Sequence, residues 1–184
     1  MCIRDRLKPV SWKQAGDAWV ADFGQNASGW PRLRVRGKGG QAVRLIPGEM
    51  LKDGRVDQGQ SGGPCYWQYT LRGGSSEDWR PRFTYYGYRW VQVEGAAPAG
   101  KAAPGQAEIE ALESEVLYPD VRGAGVFECS DPLVNRIHDL IRWAMVSNMK
   151  SVLTDCPHRE KLGWLEQAHP VSYTHLTLPT IYSV

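Results

Sequence analysis

The sequence predicts an α+β protein in which an antiparallel β-sandwich, over about residues 7–126, precedes the start of an α-helical domain, over about residues 127–170. Short apolar stretches separated by glycine-rich turns run to about residue 95 without helical periodicity, as in antiparallel sandwiches. After residue 129 the apolar residues take the spacing of a helix. With 184 residues, 42% of them hydrophobic, the chain is long enough to bury a core.

The first predicted strands lie at residues 30–36 and 42–46. From Leu33 to Arg36 apolar and basic residues alternate, which is the period of a half-exposed strand. Residues 37–40 (GKGG) predict a turn between this strand and the apolar stretch that follows. We therefore expect the two strands to pair as a β-hairpin.

Further strands follow at residues 66–71 and 83–93, which are rich in aromatic and β-branched residues. Residues 52–55 (KDGR) predict a tight turn, because Asp-Gly tolerates positive φ. The Gly/Ala/Pro-rich segment 95–107 is either a linker or a loop of a sandwich that continues through residues 109–118. Four glutamates in this region are interpreted as a solvated face without a chemical role: Glu108, Glu110, Glu113 and Glu115.

A long helix is predicted from Pro132 to about residues 152–154. Ser130 or Asp131 can cap its first turn, where proline is well tolerated. A second helix is predicted over residues 160–169, although Gly163 weakens it by about 1 kcal/mol. The apolar stripe of the first helix consists of Leu133, Ile137, Leu140, Ile141, Ala144, Met145 and Met149.

The two ends of the chain differ from the rest. Residues 171–184 follow Pro170 abruptly and contain no Asp, Glu, Lys or Arg, and they resemble the translation of a sequencing adapter. Residues 1–6 resemble the other adapter end. Such segments are excluded from fold reasoning, and we expect the remainder to be an internal piece of a larger protein.

Composition excludes several classes of function. A formal net charge of +2 does not favour nucleic acid as a partner, and no apolar run approaches the roughly 20 residues of a membrane span. The cysteines and histidines show neither CxxC pairs nor metal-ligand spacing, so we predict neither a metal nor a cofactor. Eight Trp residues are compatible with stacking on sugars, although Trp is also a common core residue.

Ionisable residues suited to catalysis cluster around Pro157. Asp155 and Glu160 bracket this turn, and Arg159 adjoins Glu160. In the predicted second helix Trp164 would share a face with Glu160, and an apolar wall of this kind can keep a carboxylic acid protonated. From spacing alone we favour a structural alternative, in which Asp155 caps the second helix and Arg159 pairs with Asp155.

The stretch DCPHREKLGW, residues 155–164, closely resembles the active-site signature of bacterial α-L-rhamnosidases. That resemblance implies a glycoside hydrolase with a β-sandwich followed by an (α/α)6 barrel. It extends over about residues 19–169 and includes three further motifs in the order that the family shows. These motifs are residues 22–35 (DFGQNASGWPRLRV), residues 81–91 (PRFTYYGYRWV) and residues 129–137 (CSDPLVNRI).

The resemblance also implies a role for each residue of the signature. Glu160 matches the general acid that protonates the departing glycosidic oxygen, and Asp155, Arg159 and Trp164 match positions that bind the rhamnose ring. The expected substrate is a rhamnose-containing glycoside, and the expected mechanism inverts the anomeric centre. Many members of the family carry Gly-Asp where this chain has Glu166 and Gln167, and either residue could take the role of that Asp.

Two further expectations accompany this resemblance. The carboxylate that activates water belongs to a later part of the barrel, so we expect the chain alone to be inactive and to expose its apolar helix stripe. A non-catalytic alternative is a carbohydrate-binding sandwich with appended helices. Such a module has no need of Asp155, Arg159 and Glu160 around one turn.

Overall fold

A computed structural model describes residues 2–59, 62–120 and 125–163 of the chain. In these ranges the chain forms eleven β-strands followed by one α-helix. The elements are β1 (Cys2–Leu7), β2 (Ser11–Ala15), β3 (Ala18–Arg36), β4 (Ala42–Gly48), β5 (Met50–Lys52), β6 (Arg55–Asp57), β7 (Trp67–Thr70), β8 (Glu77–Trp79), β9 (Tyr86–Glu94), β10 (Ala96–Pro98), β11 (Ala107–Tyr118) and α1 (Pro132–Asn148).

The 19-residue strand β3 organises the sheet, because its two halves have different neighbours. Its first half pairs with β2 and β9, and β9 continues the sheet to β4 and β7. Its second half pairs with β11 and β8, and β11 continues to β1 and β10. One apolar cluster is shared by both halves and includes Phe23, Leu33, Leu45, Tyr88 and Leu112. The sheet therefore folds over this core as the predicted antiparallel sandwich, with β10 as a parallel addition.

Each predicted strand overlaps an observed one, namely β3, β4, β7, β9 or β11. Leu33 and Val35 are fully buried, whereas Arg32, Arg34 and Arg36, which alternate with them, point outward and pair with Asp78 and glutamates of β11. The KDGR turn joins β5 to β6, with positive φ at Asp53 and Gly54. The Gly/Ala/Pro-rich segment is a loop of the sandwich rather than a linker, since it contains β10 and leads into β11.

The predicted hairpin between residues 30–36 and 42–46 is wrong. Strand β4 pairs with β9 and β7, whereas this part of β3 pairs with β11 and β8. The turn between them crosses from one half of the sandwich to the other. The Gln41 side chain supports that crossing by accepting from the Lys38 backbone N–H and donating to the Gly105 carbonyl.

The acidic face of β11 is also only partly as predicted, because Glu115 is fully buried. Its Oε2 accepts from the Trp30 indole N–H at 2.8 Å and from Arg80 at 3.2 Å. Strand β11 is buried on both faces from Ser114 to Leu117, so alternation no longer exposes one side. Glu115 is therefore a buried, paired carboxylate rather than part of a solvated face.

Helix α1 begins as predicted, with the Asp131 side chain accepting from the Leu133 N–H at 2.8 Å. It ends at Asn148, several residues before the predicted end, because tertiary contacts of the next residues replace the helical hydrogen bonds there. Met149 is extended and bridges to Leu153, and Lys150 turns into the protein to donate to the Leu117 carbonyl.

The apolar stripe of α1 is largely exposed, as expected for the chain on its own. Four of its large side chains are 46–64% accessible: Leu133, Ile137, Leu140 and Ile141. Among the described residues, no helix has the length and apolar character needed to cross a membrane.

The first residues of the chain, which resemble an adapter end, belong to the sheet. Residues 2–6 form most of β1, and this strand pairs antiparallel with β11. Residues 171–184 lie outside the described residues.

Candidate active site

Residues 155–163, called here the 155–163 turn, form a closed loop with Asp155 at its base. The backbone N–H of Asp155 donates to the Leu162 carbonyl at 2.9 Å. In return, Asp155 Oδ1 accepts from the backbone N–H groups of Leu162 at 2.9 Å and Cys156 at 2.8 Å. Asp155 thus caps backbone donors, as the structural alternative expected, but it closes a loop rather than starting a helix.

The predicted helical start at Glu160 is wrong. Residues 160–163 are not helical, and Lys161 has φ of +56°, which no helix residue adopts. The rest of that predicted helix lies outside the described residues, as do Trp164, Glu166 and Gln167. The proposed apolar wall beside Glu160 and the binding roles of these three residues stay predictions.

Arg159 pairs with Glu160, and this geometry orients the proposed acid. Arg159 Nε and Nη2 lie 2.9 Å and 2.7 Å from Glu160 Oε1. Cys156 Sγ accepts from the Glu160 N–H at 3.2 Å and donates to Glu160 Oε2 at 3.4 Å. Both charged side chains are about half exposed, so the pair contributes little stability but leaves the carboxyl accessible to a substrate.

Asp155, Cys156 and Glu160 bring their oxygen and sulfur atoms within 4.8 Å of one another. In principle such a group can hold a cation. The Arg159 guanidinium and the Cys156 thiol already satisfy Glu160 here, so we interpret the group as an ion-pair and hydrogen-bond cluster.

His158 anchors the turn to the sandwich, a role that the sequence did not reveal. Its ring is 6% exposed and lies 5.4 Å from the Tyr86 ring. Nδ1–H donates to the Gly87 carbonyl at 2.8 Å, which leaves Nε2 as an acceptor facing Cys65 Sγ at 3.6 Å. Burial lowers the pKa of His158 and raises that of the Cys65 thiol, which favours the neutral form of both groups.

Two lysines flank Tyr85 and tie the same region to the sandwich. Lys161 donates to the Tyr85 carbonyl at 2.6 Å, and its ammonium lies 4.3 Å and 4.4 Å from the Tyr85 and Tyr86 ring centres. Lys150 lies 5.0 Å from the Tyr85 ring centre. Desolvation, with a smaller contribution from Lys161, lowers the pKa of Lys150 to about 7.

Close packing at two glycines completes the docking of the turn. A Cβ at Gly87 would lie 2.7 Å from Pro157 Cγ, and one at Gly62 would lie 2.7 Å from Arg159 Cγ. The turn therefore rests directly on backbone of the sandwich. The sequence feature that could have revealed this docking is the run Tyr85-Tyr86-Gly87, because a glycine there allows close backbone contact. It was interpreted only as part of a strand.

The titration of Lys150 predicts a pH dependence of stability. Between pH 7 and 9 the unfolded chain, with an ordinary lysine pKa of 10.5, binds more protons than the folded chain. The free energy of unfolding should therefore rise with pH, by up to about 1.4 kcal/mol per pH unit from this group. Urea denaturation at a series of pH values measures this dependence. Lys150→Met should reduce the slope of the free energy of unfolding against pH, whereas Lys13→Met, at an exposed lysine of β2, should leave that slope unchanged. Equal slopes in both variants would contradict this assignment.

Comparison with known protein families covers both parts of the chain. Residues 13–118 match the concanavalin-like domain of bacterial α-L-rhamnosidases, and residues 122–182 match the 6 hairpin glycosidase domain of the same proteins. An α-L-rhamnosidase of Formosa agariphila is 35% identical over 165 residues, and one of Streptomyces avermitilis is 36% identical over 149 residues. These matches cover 86% and 79% of this chain but 17% and 14% of the two relatives.

Solved structures show the same similarity. The α-L-rhamnosidase of Streptomyces avermitilis in complex with L-rhamnose superimposes with a TM-score of 0.82 at 32% identity, over 92% of this chain and 16% of that one. The α-L-rhamnosidase of Dictyoglomus thermophilum gives the same TM-score and identity, over 92% of this chain and 19% of that one. The chain thus spans about a sixth of the length of these relatives.

Proposed function

The chain belongs to the bacterial α-L-rhamnosidase family, and from this we propose that it carries the acid side of a site that hydrolyses terminal α-L-rhamnose from rhamnosides. One observation supports this proposal above the others. Asp155, Arg159 and Glu160 lie together on one turn, and the sandwich holds that turn through buried contacts. A solvated loop would not need such anchoring.

In the proposed reaction Glu160 acts as general acid. Its protonated carboxyl donates a proton to the glycosidic oxygen while the bond from that oxygen to the anomeric carbon breaks. A water molecule attacks the opposite face of the ring and passes its proton to a second carboxylate, so that the configuration is inverted. The two carboxyl groups of inverting enzymes stand about 6.5–9.5 Å apart, which is further than Asp155 lies from Glu160. We therefore do not assign Asp155 as the base.

Asp155 and Arg159 are proposed to bind the rhamnose ring. Guanidinium and carboxylate groups hold neighbouring hydroxyls by paired hydrogen bonds. Arg159 can pair with Glu160 and bind the ring at the same time. Its side chain is 56% exposed, and its guanidinium has further N–H donors beyond those that pair with Glu160.

Asp155→Asn tests the binding role in an active enzyme that contains this chain. An amide retains one oxygen for the backbone donors but loses the charge, so kcat/KM should fall by a similar factor for every rhamnoside, whatever its leaving group. Steady-state kinetics with an alkyl and an activated aryl rhamnoside measure this. A loss confined to one substrate would contradict a ring-binding role.

A further inference from the structure

The DFGQN motif, residues 22–26, builds a rigid bulge in β3 that the proposed chemistry does not use. Pairing between β3 and β9 shifts register between Asp22 and Ala27. The bulge is fixed by Asp22, which accepts both Arg89 donors at 2.8 Å and 2.9 Å and the Gly24 N–H at 2.7 Å. Bulges re-aim side chains, often beside active sites. Here the re-aimed residues are Gln25 and Asn26.

These two side chains line a pocket next to the 155–163 turn. Its volume is about 250 Å³, and its walls come from the bulge, the end of β4, helix α1 and the turn. The residues that matter for recognition are Gln25, Asn26, Glu49, Trp143, Asn148 and Pro157. Pro157 belongs to the turn that carries Asp155 and Glu160, so the pocket adjoins that turn.

The lining combines polar side chains with the apolar side chains of Ala27, Leu140 and Ala144, which suits a neutral ring that has both hydroxyl groups and C–H faces. Glu49 Oε1 already accepts from Asn26 Nδ2 at 2.8 Å, so carboxylate and amide present a fixed set of acceptors and donors. Trp143 adds a flat aromatic surface, which suits the C–H face of a pyranose. Among the described residues no Lys or Arg lines the pocket, and Glu49 would repel an anion, so phosphate and carboxylate ligands are disfavoured.

We propose that this pocket binds the sugar ring on the leaving-group side of the scissile bond. The proposal rests on the proposed function, which assigns the rhamnose ring itself to Asp155 and Arg159. A volume of about 250 Å³ lies just below the range of about 300–1,000 Å³ for drug-sized ligands, which matches a single ring. The sandwich therefore contributes to substrate choice as well as holding the turn.

Ligand-observed NMR titrations on this chain test the proposal. The probes are methyl α-L-rhamnopyranoside and the disaccharide α-L-rhamnosyl-(1→6)-D-glucose. The disaccharide should bind more tightly than the methyl glycoside, and Asn26→Ala and Glu49→Gln should each raise its Kd by about three- to tenfold, as expected for the loss or weakening of one hydrogen bond. Binding of the methyl glycoside should stay unchanged. Gln14→Ala and Glu128→Gln are matched controls at exposed sites outside the pocket.

The outcomes separate this proposal from the one on which it rests. If the methyl rhamnoside binds in an Asp155-dependent manner but the disaccharide binds no tighter, the pocket is not a subsite and the rhamnose assignment stands. If disaccharide binding depends on Asn26 and Glu49 but not on Asp155, the subsite stands and the rhamnose assignment is wrong. Absence of binding by both probes, in a chain whose circular dichroism shows it folded, would overturn the subsite.

Discussion

Glu160→Gln is expected to lower kcat by about 10²–10⁴-fold for a rhamnoside with an alkoxide leaving group, in an active enzyme that contains this chain. The amide keeps the shape of the side chain and can still accept from Arg159, but it has no proton to give to the glycosidic oxygen. KM should change little, because Glu160 is proposed to act on the leaving oxygen rather than on the ring.

Glu110→Gln provides the matched control. Glu110 is an exposed carboxylate of β11 whose Oε1 lies 3.6 Å from Arg36, so the substitution also weakens a surface ion pair and removes the same charge. It should leave kcat within experimental error. A loss in Glu160→Gln of less than about threefold would show that Glu160 is not the acid.

His158→Ala is expected to release the 155–163 turn from the sandwich. The substitution removes the hydrogen bond to the Gly87 carbonyl and the ring beside Tyr86, and it leaves a buried carbonyl without that donor. Loss of such a partner costs about 1–3 kcal/mol, which corresponds to local opening that is about 5- to 150-fold more frequent. Cys65 lies against His158, so Cys65 should react faster with a disulfide reagent, by about the same factor as the increase in local opening. Peptide mass spectrometry measures this reaction rate.

His138→Ala is the control for this experiment. His138 belongs to α1 and stacks on Phe127 at 5.0 Å, so its loss removes a ring contact of similar kind elsewhere. It should not change the labelling of Cys65. If His158→Ala left that rate unchanged as well, the turn would be held by Lys150, Lys161 and Pro157 without help from His158.

The sequence predicted those features of the fold that depend on neighbouring residues. The alternation at Leu33 and Val35, the Asp-Gly turn and the Asp131 cap are all local, and the structure contains them. Strand pairing is not local, and the hairpin prediction failed because β3 and β4 find separate partners. Helix α1 stops early for a similar reason, since buried contacts of Lys150 compete with continuing the helix.

In the candidate site, too, features that depend on distant residues could not be predicted from the sequence. Spacing alone favoured a helix cap for Asp155, and only the resemblance to a family led to the prediction that Glu160 is the general acid. The buried state of Glu115 and the anchoring role of His158 depend on residues 35 to 85 positions away, namely Arg80, Gly87 and Trp30. No local pattern carries that information.

The most direct test of Glu160 as general acid is the dependence of kcat/KM on leaving-group pKa across a series of aryl α-L-rhamnosides. The wild-type enzyme should show a shallow dependence, because Glu160 protonates the departing oxygen. Glu160→Gln should show a steep one, with near-normal rates for the most acidic phenols and large losses for the least acidic. Parallel lines for the two proteins would contradict the proposal, since Glu160 would then act equally on every substrate, as a binding or structural residue does.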